Sequence, residues 1–183
     1  FQQHIIKSLK PASGRSVVLW PHGVLFRDSE ADMRKKMIED DLVDAVIGLG
    51  KNLFYNSSME SCLLICNMNK PKNRKGKVIF IDGKDEIRLE RSAAYLKDEH
   101  IKRMADAYWN YKDEDGFTAV VKTKDILKEN NGNLSIQLYV KAESTDSAHS
   151  VQDLLTTIHE NRNSLEDGYN KLNSKLKELG IEM

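Results

Sequence analysis

Short apolar runs separated by polar turns dominate the chain up to about residue 140, and a regular spacing of four and three takes over after residue 150. Ser16–Trp20, Val43–Gly48 and Ser61–Met68 read as strands, with a helix-like segment between the first two. The run from Ser16 to Trp20 is almost wholly apolar, which predicts a central parallel strand covered on both faces. Ser29-Glu30-Ala31-Asp32 resembles a capping box with Asp in the place of Glu. It opens a helix that ends near Asp40 and buries Met33, Met37 and Ile38. Upstream, apolar positions 1, 5, 6 and 9 predict an amphipathic helix, stopped by Pro11 and Gly14. Val78–Asp82 and Val120-Val121 are further strands. Ile101, Met104, Ala105 and Tyr108 mark a helix from Asp98 to Lys112, where packing is the expected role of Tyr108, Trp109 and Tyr111. Thr123 suits the cap of a short helix that buries Ile126 and Leu127, and Asn130–Asn133 is a turn before an extended stretch, Leu134–Val140. Strands alternating with helices in this way form the second half of a doubly wound α/β domain without its first half. In such folds ligands sit outside the carboxyl ends of the strands, so the turns Pro21-His22-Gly23 and Gly50-Lys51-Asn52 should border a site.

Ala142–Ser150 is small, polar and aperiodic, and is expected to be a linker. Beyond it Val151, Leu155, Ile158, Arg162, Leu165, Tyr169, Leu172, Leu176 and Leu179 follow one another at alternating intervals of four and three. That is a heptad seam over about four heptads, and one of its two core positions is apolar throughout. A helix of that length runs roughly 40 Å, longer than a small domain needs for its own core. Arg162 in the seam and Gly168 beside it interrupt a perfect zipper. The apolar residues are expected to dock another chain's helices; folding back on the same domain is the alternative.

The 183 residues allow one domain, or one and a fraction, and the chain opens on Phe1, so a processed or truncated start is expected. Lys and Arg number 28, and so do Asp and Glu; nucleic acid would therefore have to be held by a local patch, since no global basic field exists. Lys70, Lys72, Arg74, Lys75 and Lys77 supply such a patch, either as a solvated hairpin loop between two strands or as a loop that contacts phosphate. No apolar run is long enough to cross a bilayer and no amino-terminal signal segment is seen, so the expected compartment is the cytoplasm. Cys62 and Cys66 fall on one face of a strand, roughly 13 Å apart, too far for a disulfide; they read as reduced core residues. No metal-ligand spacing, Gly-x-Gly-x-x-Gly fingerprint, phosphate-binding loop or nucleophile elbow is present: Gly48-Leu49-Gly50 begins a fingerprint that Leu53 breaks.

Gly14-Arg15-Ser16-Val17-Val18-Leu19-Trp20-Pro21-His22-Gly23-Val24-Leu25-Phe26 resembles the "G-R-x-x-x-V-L-P-x-G-V-L-F" block of the methylation (M) subunits of type I restriction–modification systems. Arg34, Asp44–Leu49 and Asn52–Tyr55 are similar to the family's continuation in order and spacing, as are Gly76–Asp82, Gly132–Ile136 and Tyr139-Val140. Trp20, Gly50 and Asn56–Glu60 depart from the usual pattern. The resemblance implies an α/β fold: the C-terminal half of a Rossmann-like S-adenosylmethionine-dependent methyltransferase sheet over 1–141, a linker over 142–150 and a helical tail for subunit docking over 151–183. It implies a full-length protein that transfers a methyl group from S-adenosylmethionine to the exocyclic amine of adenine in DNA. The implied partners are DNA and the specificity (S) and restriction (R) subunits. The family's cofactor motif and its Asn-Pro-Pro-Phe precede this region, so no catalytic residue is assigned and the isolated fragment is expected to be inactive. Pro21, His22 and Gly23 are expected at the edge of the target-base pocket, though His22 also reads as an ordinary turn residue. Lys51, Asn52, Lys70, Lys72, Arg74 and Lys75 are expected to contact DNA. A non-catalytic helical module that oligomerises through the tail is the alternative.

Overall fold

The computed structural model describes residues 1–54, 57–90, 93–141 and 151–178, and the chain divides into two compact units, Phe1–Glu143 and Ser144–Met183. In the first unit α1 (Gln2–Ser8) precedes β1 (Arg15–Pro21), α2 (Ala31–Glu39) and β2 (Val43–Leu49). Then come β3 (Ser61–Asn67), β4 (Lys77–Gly83) and a small hairpin of β5 (Arg88–Glu90) and β6 (Ala93–Tyr95). The unit continues with α3 (Asp98–Asn110), β7 (Thr118–Lys122) and α4 (Thr123–Asn130). The second unit contributes α5, Val151–Glu178. The expected linker, 142–150, and the last seam residue, Leu179, lie outside the described residues.

The main sheet is mixed, in the order β1-β3-β2-β4-β7. Only β2 and β4 pair in parallel; β3 runs antiparallel to both β1 and β2, and β7 antiparallel to β4. This corrects two expectations. Ser16–Trp20 forms an edge strand rather than a central parallel one, with Ser16, Val18 and Trp20 turned inward while Val17 and Leu19 are 62% and 44% exposed. The central place belongs to β2, buried at all seven positions. Nor do β3 and β4 form a hairpin, because β2 lies between them and the basic connection must cross over it.

One face of the sheet packs Leu25, Met37, Ile38, Val46, Leu64 and Phe80 among others, with Ile6, Trp20 and Met33 at its margin. Each such fully buried side chain contributes about 1.5–3 kcal/mol. Trp20 Nε1 donates to Gln2 Oε1 at 3.0 Å, which ties α1 to the edge strand. Both cysteines are free and buried in this face, and desolvation pushes their thiols up to about 12 for Cys62 and about 11 for Cys66. The opposite face is packed by α3 through Met104 and Tyr108; where β2 and β3 extend past it, Ile47, Leu49, Leu63 and Ile65 line an apolar groove with Ile101 and Trp109. Tyr108 and Tyr111 pack as expected, whereas Trp109 is largely exposed.

Three local expectations change. Ser29 Oγ bonds the Glu30 carboxylate at 2.6 Å and Glu30 occupies the N-cap of α2, so no capping box forms. Lys122 is the N-cap of α4, and Thr123, its first residue, turns its hydroxyl to the Gly76 carbonyl. Leu134–Val140 is not extended: Ile136–Leu138 is a 3-10 turn that buries Ile136, and Leu134 N–H bonds the Leu25 carbonyl.

Candidate functional site

The pairing brings the two predicted turns to one edge. Pro21 and Leu49 are both register partners of Ser61, and Leu49 is also paired with Gly83. The carboxyl ends of β1, β2 and β4 therefore share this edge with the start of β3. After Pro21 the chain enters a 3-10 turn, His22–Leu25, and the buried Arg34 of α2 holds it from beneath. Arg34 donates to the carbonyls of Val24 at 3.1 Å, Arg27 at 2.7 Å and Gly132 at 3.4 Å. Burial lowers its pKa, and Glu30 and Asp28 oppose that shift.

Glu60 joins the two turns. Its carboxylate lies 3.6 Å from His22 Nδ1 and 3.6 Å from Lys51 Nζ, and the Lys51 side chain is 64% exposed. His22 Nε2 and Ser61 Oγ are buried here without a hydrogen-bond partner among the described residues. Asn52 adopts a left-handed conformation (φ 60°), which Asn tolerates better than most residues, and its carbonyl accepts the Ala94 N–H of the small hairpin. Gly50 is required by crowding: a Cβ there would stand 2.4 Å from the Lys84 carbonyl oxygen. Lys84 pairs with Asp82 at 2.9 Å, and that bond raises the lysine's pKa.

The basic connection between β3 and β4 divides into two pairs. Lys72 and Lys75 are exposed. Lys70 and Arg74 are buried, which corrects their expected role as phosphate contacts: their cations are committed to the fold. Lys70 Nζ donates to Asp41 Oδ1 and to the Lys77 carbonyl, each at 2.7 Å, while Asp41 Oδ2 accepts the Gly76 N–H. Arg74 Nη2 donates to the carbonyls of Tyr108 and Trp109, at 3.0 and 3.1 Å, in the last turn of α3. Its guanidinium lies over the rings of Tyr108 and Tyr111 and 3.6 Å from Asp44, a fully buried carboxylate at the irregularity in β2. Tyr108 donates its hydroxyl to Asp44 at 2.7 Å; burial and that carboxylate raise the phenol's pKa.

In the second unit, Leu155, Ile158, Leu165 and Tyr169 of the predicted seam are 56–75% exposed, and Arg162 between them is exposed too.

Glu60, Arg34 and Asp44 had no assigned role in the sequence reading. Asp44 was the legible one, since a carboxylate inside an otherwise apolar strand demands a buried partner. Among the described residues no group of three or more His, Cys, Asp or Glu could hold a metal ion. Nor do the glycines at the end of β2 form a cofactor cradle: the space beside Gly48 is filled by Ile136 and that beside Gly50 by Lys84 and Ile87. No helix among the described residues is long and apolar enough to cross a membrane.

Residues 1–148 match the N-6 DNA Methylase family, and the chain belongs to it. Within that family it falls among the methylase subunits of type I restriction–modification systems. It is 34% identical over 161 residues to the type I restriction enzyme MjaVIII methylase subunit of Methanocaldococcus jannaschii, covering 86% of this chain and 28% of that protein. It is 29% identical to the MpnII methylase subunit of Mycoplasma pneumoniae, covering 98% of this chain and 32% of that one. The crystal structure of a type I methyltransferase subunit from Streptococcus thermophilus superposes with a TM-score of 0.70 at 34% identity, over 76% of this chain and 29% of that one. The EcoKI M protein shares the fold, with a TM-score of 0.62 at 18% identity over 100% of this chain and 44% of that one. The chain thus spans 21–38% of the length of these and other curated relatives it matches.

Proposed function

We propose that these residues are the carboxyl-terminal part of a type I adenine-specific DNA methyltransferase subunit, which uses S-adenosylmethionine in the cytoplasm and works with a specificity and a restriction subunit. Membership of the N-6 DNA methylase family over residues 1–148 carries this reading. The edge strand supports it: β1 has a neighbour on one side only and exposes Val17 and Leu19, an arrangement suited to a sheet that continues in a longer protein. In this reading residues 1–141 complete a Rossmann-like methyltransferase sheet, 142–150 link it to the tail, and 151–183 dock the specificity subunit.

A base-modifying enzyme takes its target out of the stack and holds it at the strand ends. Pro21, His22 and Gly23 form one wall of that place, kept in shape by Arg34. Lys51, exposed and held only loosely by Glu60, reaches a phosphate alongside Asn52, and Lys72 and Lys75 add weak contacts that carry no sequence information. Cofactor and catalytic groups belong to the remainder of the full-length protein. The test is transfer of labelled methyl groups from S-adenosylmethionine to DNA by the full-length protein combined with its specificity subunit. Label recovered as N6-methyladenine is expected; label on cytosine, or none, refutes the reading.

A further inference from the structure

The start of β3 places a carboxylate between the two turns of the site. Ser61 is the register partner of both Pro21 and Leu49, so the ladder fixes Glu60, one residue earlier, between His22 and Lys51. Its oxygens divide between them: Oε2 lies 3.6 Å from His22 Nδ1, and Oε1 lies 3.6 Å from Lys51 Nζ. Lys84, whose pKa is raised chiefly by its bond to Asp82, is raised further by Glu60. Beside this carboxylate the Ser61 hydroxyl and His22 Nε2 are buried without a hydrogen-bond partner among the described residues. The edge therefore offers polar groups that an arriving ligand would satisfy.

The Lys51 pair differs from the ion pairs that hold the fold. Lys70 is buried and meets Asp41 at 2.7 Å, whereas Lys51 is 64% exposed and its contact with Glu60, at 3.6 Å, is beyond hydrogen-bond length. An exposed pair of this kind contributes little to stability and is easily given up. Among the described residues Glu60 is the sole ion-pair partner of Lys51. The ammonium thus faces a carboxylate where, in the function proposed above, it meets a DNA phosphate. Carboxylate and phosphate together on that ammonium would be a like-charge pair, which opposes binding.

We propose that Glu60 is a positioning residue that competes with DNA for Lys51: its carboxylate holds the place of a backbone phosphate in the free protein and is displaced when the strand arrives. No covalent bond changes; one anion replaces another on the same ammonium. The exchange lowers sequence-independent affinity, so this edge engages fully only DNA that other contacts of the complex already hold. The inference rests on the reading of Lys51 as a phosphate contact.

The experiment measures binding of a labelled random-sequence duplex by the full-length protein with its specificity subunit, by fluorescence anisotropy over a range of salt. Wild type is compared with Glu60→Gln, Lys51→Ala and the two together. Lys51→Ala should lower the slope of log affinity against log salt by about 1. Glu60→Gln should tighten binding about fivefold, a direction that damage to the fold would not produce. In the Lys51→Ala background the same change should do little, because the cation that Glu60 withholds is gone. Equal tightening in both backgrounds would show simple repulsion of DNA by Glu60 and overturn the inference. Weaker binding by Glu60→Gln would also overturn it, since Glu60 would then orient Lys51 for the phosphate. If Glu60→Gln does not fold, Glu60→Asp replaces it: the shorter side chain should tighten binding by a smaller factor that again depends on Lys51, and wild-type affinity overturns the inference. A slope that falls in Lys51→Ala with no effect of Glu60→Gln leaves the phosphate contact standing and removes the inference alone. An unchanged slope in Lys51→Ala refutes the phosphate contact, and the inference with it.

Discussion

Replacing Arg74 by Ala should destabilise the first unit severely and leave sequence-independent DNA affinity almost unchanged, the reverse of what a basic surface loop would do. The substitution removes two hydrogen bonds to the last turn of α3, the cover over two tyrosine rings and the cation 3.6 Å from Asp44. Asp44 is wholly buried and its Oδ1 has no hydrogen-bond partner among the described residues, which would leave the carboxylate with the Tyr108 hydroxyl. Removing one partner of a buried pair costs about 3–5 kcal/mol, a large part of the roughly 5–15 kcal/mol that holds a domain folded. Lys72→Ala, at an exposed position, should change stability by no more than about 0.5 kcal/mol. Hydrogen exchange of the full-length protein, read by mass spectrometry over α3 and β2, isolates the effect. Protection there should fall by about two to four powers of ten in Arg74→Ala. Arg74→Met with Asp44→Asn should recover part of it, since neither charge then remains buried. Unchanged exchange in α3 together with weakened DNA binding would refute the assignment and return Arg74 to the surface patch.

Replacing Lys72 and Lys75 together by Ser should lower the slope of log affinity against log salt by about 2, provided the loop touches phosphate; an unchanged slope would show that it is only solvated. Gly50→Ala should cost about 1–3 kcal/mol by denaturant unfolding, because its Cβ would press on the Lys84 carbonyl; wild-type stability would mean that this edge yields easily. Alkaline titration should destabilise the fold through the cysteines, whose thiols burial pushes up to about 12 and about 11. These folded-state values lie above the unfolded one, so the stability is intact below a pH of about 9 and is lost as pH rises from there towards the folded values, by up to about 1.4 kcal/mol per unit per thiol. The melting temperature followed from pH 8 to about 11 should fall less in Cys62→Ala with Cys66→Ala than in wild type; parallel curves would assign the loss to other groups.

Strand positions were legible because each buried strand is a short, mainly apolar run: the run at 43–48 emerges as Val43–Leu49, with Asp44 its one charged residue, and that at 61–68 as Ser61–Asn67. Strand order was not, since the choice of neighbour is non-local. Val17 and Leu19 read as doubly covered until β3 is seen turning back between β1 and β2. The two turns at the site were legible as punctuation, but the Glu60 carboxylate between them was reached only through the register that sets Ser61 opposite both Pro21 and Leu49. Lys70 and Arg74 were misread for a related reason. Cations in a loop are normally solvated, and only their pairing with Asp41 and Asp44, about 30 residues upstream, draws them inside. The Thr123 cap and the extended 134–140 stretch differ because long-range hydrogen bonds to Gly76 and Leu25 outweigh local propensity.

The most direct test of the account is the N6-methyladenine content of DNA, measured by mass spectrometry in cells that express the specificity subunit together with either the full-length protein or a version lacking residues 151–183. The account predicts N6-methyladenine above background with the full-length protein and background levels without the tail. Methylation of equal extent without the tail would contradict the docking role of α5. No N6-methyladenine with the full-length protein would contradict the assignment as an adenine methyltransferase.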